Sequence, residues 1–141
     1  MEFEWEIMPK ILELSANSFH KTVMHAKKPV VVEFYSHSCP HCIKFAPVYS
    51  QLANILNGAV RLARIDVIRN DTNRDFAHSR GIHTVPTLEI FYHGRVIGNI
   101  IGYHEVKTIV SAVKRFLSKK LENIGPGTKL PHPQTQGTRS N

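Results

Sequence analysis

The segment PVVVEFYSHSCPHCIKFAPVYSQLA, residues 29–53, constrains the fold more than any other part of the chain. Its early part, VVVEFYS at residues 30–36, is apolar and β-branched, which is typical of a strand covered on both faces. From Cys42 onward apolar residues recur at steps of three and four, which is typical of one face of an amphipathic helix. Both cysteines of the chain, Cys39 and Cys42, lie where the strand pattern gives way to the helix pattern. The sequence therefore predicts a strand that runs through C-x-x-C into a helix.

The rest of the chain alternates between strand and helix patterns. ILEL (11–14) and VRLARIDV (60–67) are typical of strands, and TLEIFYHGRVIGNII (87–101) predicts a hairpin that turns at His93–Gly94. Four helices are predicted. The first covers roughly residues 18–25 and is capped by Ser15 or Asn17, and the second opens at the C-x-x-C pair, is kinked by Pro47 and is stopped by Gly58. The third is short, with Asp71 or Thr72 as its cap and Gly81 at its end, and the last starts near His104. This order predicts an α/β fold with a central sheet and helices on both faces.

Length and composition limit the class of protein. The chain has 141 residues, of which 42% are hydrophobic and 21% charged, which fits one globular domain with a sizeable core. No apolar run is long enough to cross a bilayer, and MEFEWEIMPK shows no signal peptide. We assign residues 1–10 to an N-terminal extension and residues 11–122 to the domain. Residues 123–141, rich in Gly, Pro, Thr and Gln, are predicted to be a disordered tail.

The chain is basic, with a net charge of +7. A basic balance can attract nucleic acid or acidic surfaces. However, Lys and Arg are scattered, and their densest groups are residues 27–28 and residues 114–120, the second on a predicted helix. We favour solvated helix faces over an anionic partner site and expect no nucleic-acid partner.

The position of the cysteine pair predicts its chemistry. The first backbone N–H groups of a helix have no partner within the helix, and the helix dipole favours negative charge there. Cys39, at the predicted cap, is therefore expected to be stabilised as a thiolate and to react as a nucleophile. Cys42 lies one turn further in, where it can attack a mixed disulfide formed at Cys39. The pair can thus exchange electrons with the cysteines of another protein.

Three other interpretations of the pair stay open. A zinc site needs four ligands, and His37 and His41 would have to complete a very tight cluster. A structural disulfide would close a tiny loop and stabilise the fold little. The two residues could also be unrelated thiols. We favour redox chemistry over all three and expect neither a metal nor a bound cofactor.

Three segments resemble the thioredoxin superfamily, and most closely its domains of protein disulfide isomerase type. Residues 29–53 are similar to that family's strand, active site and helix. GIHTVPTLEIFYHG (81–94) resembles its second signature, a strand entered through a cis-proline. GRVIGNIIGYH (94–104) resembles the closing strand with its glycine. The resemblance covers residues 11–122 and implies a thioredoxin fold, with a central mixed sheet between helices.

The resemblance also implies roles for individual residues. Cys39 would be the nucleophile and Cys42 the resolving thiol. Pro86 would be the cis-proline that faces the pair, with Val85 before it offering backbone groups to a client strand; an ordinary trans proline is the alternative. The remaining groove residues would be Gly102 and Tyr35, although for Tyr35 we favour packing in the core over contact with a client.

Glu33 lies inside an otherwise apolar strand. Burial there should raise the pKa of its carboxyl group. The resemblance places an acidic residue at this position, beneath the resolving cysteine, where Glu33 would accept the proton of Cys42. The alternative is a glutamate at a strand edge that points to water.

Pro40 and His41 are expected to set the redox poise. A protonated imidazole beside Cys39 would stabilise the thiolate, and a pair whose reduced form is stabilised is more oxidising. The Pro–His dipeptide resembles that of the bacterial periplasmic oxidase, whereas domains of isomerase type usually carry Gly–His. The alternative is a solvated His41 without effect on the sulfur.

The sequence departs from the family at three positions near the pair. Ser38 stands where many relatives have tryptophan, His37 replaces another common neighbour, and Val85 stands where threonine or isoleucine is common. The predicted groove therefore gives no client preference. His83, close before Pro86, is a further candidate for lining the site.

The predicted function is a thiol–disulfide oxidoreductase of oxidase or isomerase type that acts on protein thiols and disulfides. The alternatives are a redox-sensitive chaperone or adaptor that holds peptide in the cis-proline groove, and an oxidative sensor that switches a partner. We expect a monomer. Glu33, Tyr35 and His41 resemble secretory members, which favours the endoplasmic reticulum lumen or another oxidising compartment, with a periplasm, a plastid or the cytosol left open.

Overall fold

The structure, a computed structural model, describes residues 10–123. Residues 1–9 of the predicted extension and residues 124–141 of the predicted tail lie outside the described residues. The elements are β1 (Ile11–Leu14), α1 (Ala16–Phe19) with a π-helical continuation (His20–Met24), β2 (Val30–Tyr35), α2 (Pro40–Ile55), β3 (Arg61–Asp66), α3 (Asp71–Ser79), β4 (Thr87–Tyr92), β5 (Arg95–Ile101) and α4 (Val106–Asn123). The predicted order of strands and helices is confirmed.

The five strands form one mixed sheet in the order β1-β3-β2-β4-β5. β3 pairs in parallel with β1 and β2, whereas β4 runs antiparallel to β2 and to β5. In this register Phe34, near the end of β2, lies opposite Thr87 at the start of β4, and Thr87 lies opposite Ile101 at the end of β5. The segments that follow β2 and β5 and the segment that precedes β4 therefore meet at one end of the sheet.

Each face of the sheet carries its own apolar core. Fully buried side chains of α2 and α4 pack on one face, among them Phe45, Tyr49, Leu52, Ile109 and Val113. The other face is covered by Phe19, Val23 and Ala77. β2 contributes to both cores, because successive side chains of a strand point to opposite faces. This double burial explains why its sequence is apolar apart from Glu33, as predicted.

The structure corrects the expected starts of two helices and agrees with that of a third. α2 begins at Pro40, directly after the predicted cap Cys39, and proline is favoured at this first helical position. Asn70, not Asp71 or Thr72, caps α3, and its side chain accepts a hydrogen bond from the amide of Asn73 at 2.8 Å. α4 begins after the predicted start at His104, whose Nε2 lies 3.0 Å from the carbonyl of Ile101 and so belongs to the loop.

The first helix also differs from its prediction. Of the two expected caps, Ser15 is the one observed, and it forms a reciprocal capping box with Ser18. The helix therefore begins at Ala16 rather than at residue 18, and His20–Met24 continue it with π-helical geometry. The hairpin turn lies as predicted at His93–Gly94, where both residues adopt positive φ angles of 51° and 80°.

Between residues 10 and 123 no helix has both the length and the apolar character that a membrane span requires. Pro47 lies inside α2, as predicted.

Gly98 allows β5 and α4 to pack closely. A Cβ atom at this position would lie 2.5 Å from Cδ2 of Phe116. We expect Gly98→Ala to lower the free energy of unfolding by about 1–3 kcal/mol, because the ring has to move. Denaturant titration measures this loss. Adding Phe116→Leu should recover part of it, and Asn99→Ala at the exposed neighbouring position serves as the control. Unchanged stability in Gly98→Ala would contradict the close contact.

Candidate active site

Cys39 occupies the N-cap position of α2, as predicted. Its backbone is extended, with φ −85° and ψ 123°, while its carbonyl already accepts the amide of Ile43 at 2.9 Å. The Cys39 Sγ accepts a hydrogen bond from the Cys42 amide at 3.4 Å. The Cys39 amide in turn donates to the carbonyl of Ser36 at 3.2 Å. The turn between β2 and α2 therefore presents the Cys39 sulfur at the positive end of the helix.

The two cysteines differ in their exposure to solvent. Cys39 is half-buried, whereas Cys42 is only 4% exposed. Burial raises the pKa of the Cys42 thiol to about 12. Cys42 thus keeps its proton at neutral pH, and its reaction requires a proton acceptor. Cys39 is the sulfur that another protein can reach.

The cis-proline segment lies beside Cys39. The Val85–Pro86 peptide bond is cis. The Cys39 Sγ lies 3.9 Å from the carbonyl oxygen of Val85, which is half-buried. Pro86 is buried, and its carbonyl accepts a hydrogen bond from the Gly102 amide at 2.8 Å. Three of the four residues assigned to the groove, Val85, Pro86 and Gly102, therefore meet at the end of the sheet where Cys39 lies.

Glu33 lies in the centre of the sheet and is 3% exposed. Its burial excludes the alternative of an edge glutamate that points to water. Burial raises the pKa of the Glu33 carboxyl to about 8, while the charge of Arg64 lowers it and that of Glu13 raises it further. A charge on Glu33 also raises the pKa of Cys42, so the two groups interact electrostatically.

The other predicted site residues lie in different surroundings. Pro40 and His41 are exposed on the first turn of α2. Tyr35 is half-buried, and its hydroxyl donates to Glu13 Oε2 at 2.9 Å, so its polar end is bound at the sheet's edge rather than packed in the core. His83 is exposed, with its ring centroid 6.2 Å from that of His78.

Sequence reasoning missed a side-chain hydrogen bond that anchors the loop before Cys39. His37 Nδ1 lies 2.6 Å from Oδ2 of Asp66, a carboxylate that is 2% exposed at the end of β3. Asp66 also accepts the amide of Ile68 at 3.1 Å through Oδ1 and the side-chain amide of Asn73 at 3.0 Å through its carbonyl. The one available signal was an aspartate that ends an apolar strand, but the strand register was needed to identify its partner.

Among residues 10–123 no group of three or more His, Cys, Asp or Glu side chains is arranged so that it could hold a metal ion.

Comparison with known proteins identifies the family to which this sequence belongs. The sequence model described as Thioredoxin matches residues 10–115. The chain belongs to the thioredoxin family. The family, and the thioredoxin fold with its mixed five-stranded sheet, are thus confirmed as predicted.

Relatives within the thioredoxin family are of two kinds. Protein disulfide-isomerase 2-3 of Arabidopsis thaliana is 31% identical over 127 residues, which cover 84% of this chain and 28% of that protein. Protein disulfide-isomerase erp38 of Neurospora crassa is 32% identical, with 81% of this chain and 34% of that protein covered. A thioredoxin of Synechocystis is 29% identical over 105 residues, which cover 74% of this chain and 95% of the thioredoxin. The chain thus spans about a third or less of the isomerases and matches nearly the whole length of a thioredoxin.

The buried Glu33 should make stability depend on pH. Its pKa is raised from 4.5 to about 8 on folding, so its contribution to stability is fully present below pH 4.5 and is lost as the pH rises to 8. Glu33→Gln, which cannot ionise, should gain on the order of 3 kcal/mol of stability relative to the wild type between pH 4 and pH 7. Denaturant titrations across this range measure the difference. Glu105→Gln, at an exposed position, controls for the loss of a carboxylate. If the difference in the free energy of unfolding between Glu33→Gln and the wild type did not vary with pH, Glu33 would be ionised in the folded state.

Proposed function

We propose that this chain is a thiol–disulfide oxidoreductase that exchanges disulfides with protein cysteines through Cys39 and Cys42. The observation that carries the proposal is the position of the Cys39 sulfur, which accepts the Cys42 amide at 3.4 Å and lies 3.9 Å from the Val85 carbonyl. The sulfur is thereby held at a helix start and beside backbone groups that can bind an extended client segment. Relatives that are named as isomerases and thioredoxins support the same chemistry.

Reduction of a client takes place in two exchanges. The Cys39 thiolate attacks one sulfur of the client disulfide, whose S–S bond breaks as a Cys39–client disulfide forms, and the released client thiolate takes a proton from water. Cys42 then gives its proton to the Glu33 carboxylate and attacks the Cys39 sulfur, so the internal disulfide forms and the second client thiolate leaves and is protonated by water. Two electrons have passed from the pair to the client. Oxidation of a client dithiol is the reverse sequence.

The protonated form of Glu33 is suited to assist the opening of the internal disulfide, which is the step that oxidises a client. With its pKa at about 8, Glu33 holds its proton at pH 7. When a client thiolate attacks Cys39 of the oxidised pair, Cys42 leaves as the conjugate base of a thiol whose pKa is about 12, which is a poor leaving group unless it is protonated. Glu33 supplies that proton as a general acid. The reverse reaction requires the ionised form of Glu33, which is the minor form at this pH.

Pro40 and His41 support the same direction. Both lie on the exposed first turn of α2, next to Cys39 in the chain. A protonated His41 would stabilise the Cys39 thiolate and with it the reduced pair. We accordingly propose an oxidase- or isomerase-like role for a monomeric domain, whose partners are client thiols and disulfides in the endoplasmic reticulum lumen or another oxidising compartment.

Peptide binding without redox chemistry is the second candidate. Ile101, which precedes Gly102 and pairs with Thr87 across the strands, is 60% exposed and offers an apolar surface beside the cis-proline segment. A chaperone or adaptor would use this surface and would keep its function without either cysteine.

Single cysteine variants distinguish the two candidates. Cys42→Ser should accumulate a stable mixed disulfide between Cys39 and a disulfide-bonded client such as insulin, because the resolving thiol is missing. Cys39→Ser should form none and should lose insulin reduction, since no other sulfur can reach the client. Non-reducing electrophoresis with mass spectrometry identifies the adduct. Insulin reduction by Cys39→Ser at the wild-type rate would contradict the oxidoreductase proposal. Undiminished peptide binding by that variant would favour the chaperone or adaptor.

The role of Glu33 should appear in the pH dependence of disulfide opening. The rate at which a model thiolate opens the Cys39–Cys42 disulfide, corrected for thiolate concentration, should fall as the pH rises through 8, because Glu33 loses its proton. In Glu33→Gln the rate at neutral pH should drop by about 100-fold and the fall near pH 8 should vanish. Stopped-flow measurement under single-turnover conditions tests this.

Glu89→Gln is the matched control, because Glu89 is another buried carboxyl of the sheet, 7% exposed and paired with Arg80 at 2.7 Å. It should keep the fall near pH 8. If Glu33→Gln kept the wild-type pH dependence of the opening rate, Glu33 would have no part in the proton transfer.

A further inference from the structure

Three ionisable residues form a row across neighbouring strands. Glu13 of β1 lies opposite Arg64 of β3, and Arg64 lies opposite Glu33 of β2. Directly opposed residues of paired strands project from the same face of a sheet. Arg64 therefore stands between two carboxyl groups, the buried Glu33 and the exposed Glu13.

The contacts of Arg64 reach both neighbouring strands. Its Nε lies 2.7 Å from Glu13 Oε1 on the edge strand β1, and its guanidinium carbon lies 4.7 Å from the centre of the ring of Tyr35, which ends the central strand β2. The Tyr35 hydroxyl donates to the second oxygen of Glu13, Oε2, at 2.9 Å. Both oxygens of Glu13 are thus engaged, and the guanidinium is held by Glu13 and the face of the Tyr35 ring.

These contacts limit how far Arg64 can favour the ionised form of Glu33. A guanidinium that pairs with Glu33 would favour its ionised form. Here the positive charge is directed to Glu13, whose own negative charge opposes ionisation of Glu33. The burial of Glu33 is therefore only partly offset by its cationic neighbour.

Among residues 10–123, Arg64 is the cation whose charge lowers the pKa of Glu33, and the other ionisable groups named here as its neighbours are acids. α2 contributes Cys42 and Tyr49, whose hydroxyl is bound to the carbonyls of Val31 at 3.0 Å and Ala63 at 2.7 Å. β3 contributes Asp66, which is paired with His37. From β2 comes Tyr35, and β4 places the apolar Leu88 opposite Glu33. The position of the Arg64 charge between Glu13 and Glu33 is accordingly the main interaction through which the pKa of Glu33 can be changed.

We propose that Glu13 is a positioning residue for the proton transfer, because its bond to Arg64 Nε draws the guanidinium away from Glu33. The inference rests on the proposed role of Glu33 and names a residue on the edge strand that controls it. Glu13 touches neither the sulfurs nor a client in this scheme. It acts by holding Arg64 and by its own negative charge, which also opposes ionisation of Glu33.

Opposite shifts in two variants of the full chain test the proposal. Carboxyl NMR with ¹³C-labelled glutamate, assigned with Glu33→Gln, follows the titration of Glu33 directly. Glu13→Gln should move its midpoint to lower pH by about one unit, because Arg64 is released towards Glu33. Arg64→Gln should move the midpoint to higher pH. A purely structural disturbance would move both variants the same way.

Two further variants serve as controls. Arg64→Lys keeps the positive charge and should leave the midpoint closer to the wild type than Arg64→Gln does. Asp71→Asn removes the carboxylate of the Arg74–Asp71 pair on α3, a like pair in which Nη1 and Oδ1 lie 2.5 Å apart, and should leave the midpoint unchanged. An unchanged or raised midpoint in Glu13→Gln would overturn the proposal.

The rate of disulfide opening separates this inference from the function on which it rests. In Glu13→Gln the fall of the rate with pH should move to lower pH together with the Glu33 midpoint. A shifted midpoint with an unshifted rate would overturn the link between Glu13 and proton transfer. Trapping of a mixed disulfide at Cys39 in Cys42→Ser would still establish the oxidoreductase in that case, since it requires neither Glu13 nor Glu33.

Discussion

The central strand β2 is the element on which the rest of the molecule depends. It pairs in parallel with β3 on one side and antiparallel with β4 on the other. Because of this mixed pairing, the end of β2 and the start of β4 meet at one end of the sheet, which brings Cys39 beside Val85. The same strand is buried on both faces, so its end is fixed in space before α2 begins. Cys39 thus takes its position from the backbone pairing of β2, together with the side-chain contact of His37 with Asp66 that anchors the loop before it.

The sulfur chemistry has a cost in stability. A carboxyl in the middle of β2, 3% exposed, opposes folding wherever the unfolded chain would ionise it. An apolar side chain would fill this position without that penalty, as Val31 and Val32 do nearby. Two well-filled cores on either side of the sheet make the penalty tolerable. A buried group that weakens the fold yet lies at a reactive thiol fits a role in proton transfer.

How far the sequence predicts this structure depends on the range of the interactions. The strand before Cys39, the cap position of Cys39 and the turn at His93–Gly94 follow from local patterns, since neighbours in the chain decide them. The inward orientation of Glu33 was one of two open interpretations, because period and composition do not show which strands flank β2. The row of Glu13, Arg64 and Glu33 and the pair of His37 with Asp66 depend on register between strands that are distant in sequence. No local pattern contains that information.

The two sulfurs have different surroundings in this arrangement. Cys39 accepts the Cys42 amide at 3.4 Å and adjoins Pro40 and His41 on the first turn of α2. Burial, Cys39 and the charge of Glu33 all raise the pKa of Cys42, and Glu33 in turn lies in one row with residues of β1 and β3. In the proposed mechanism, changes beside Cys39 would alter the stability of its thiolate, and hence the reduction potential. Changes around Glu33 would alter how fast the internal disulfide opens or closes at a given pH. The driving force for exchange with a client and the rate of proton transfer are therefore set by residues on different elements, and they remain linked through the contact between Cys39 and Cys42.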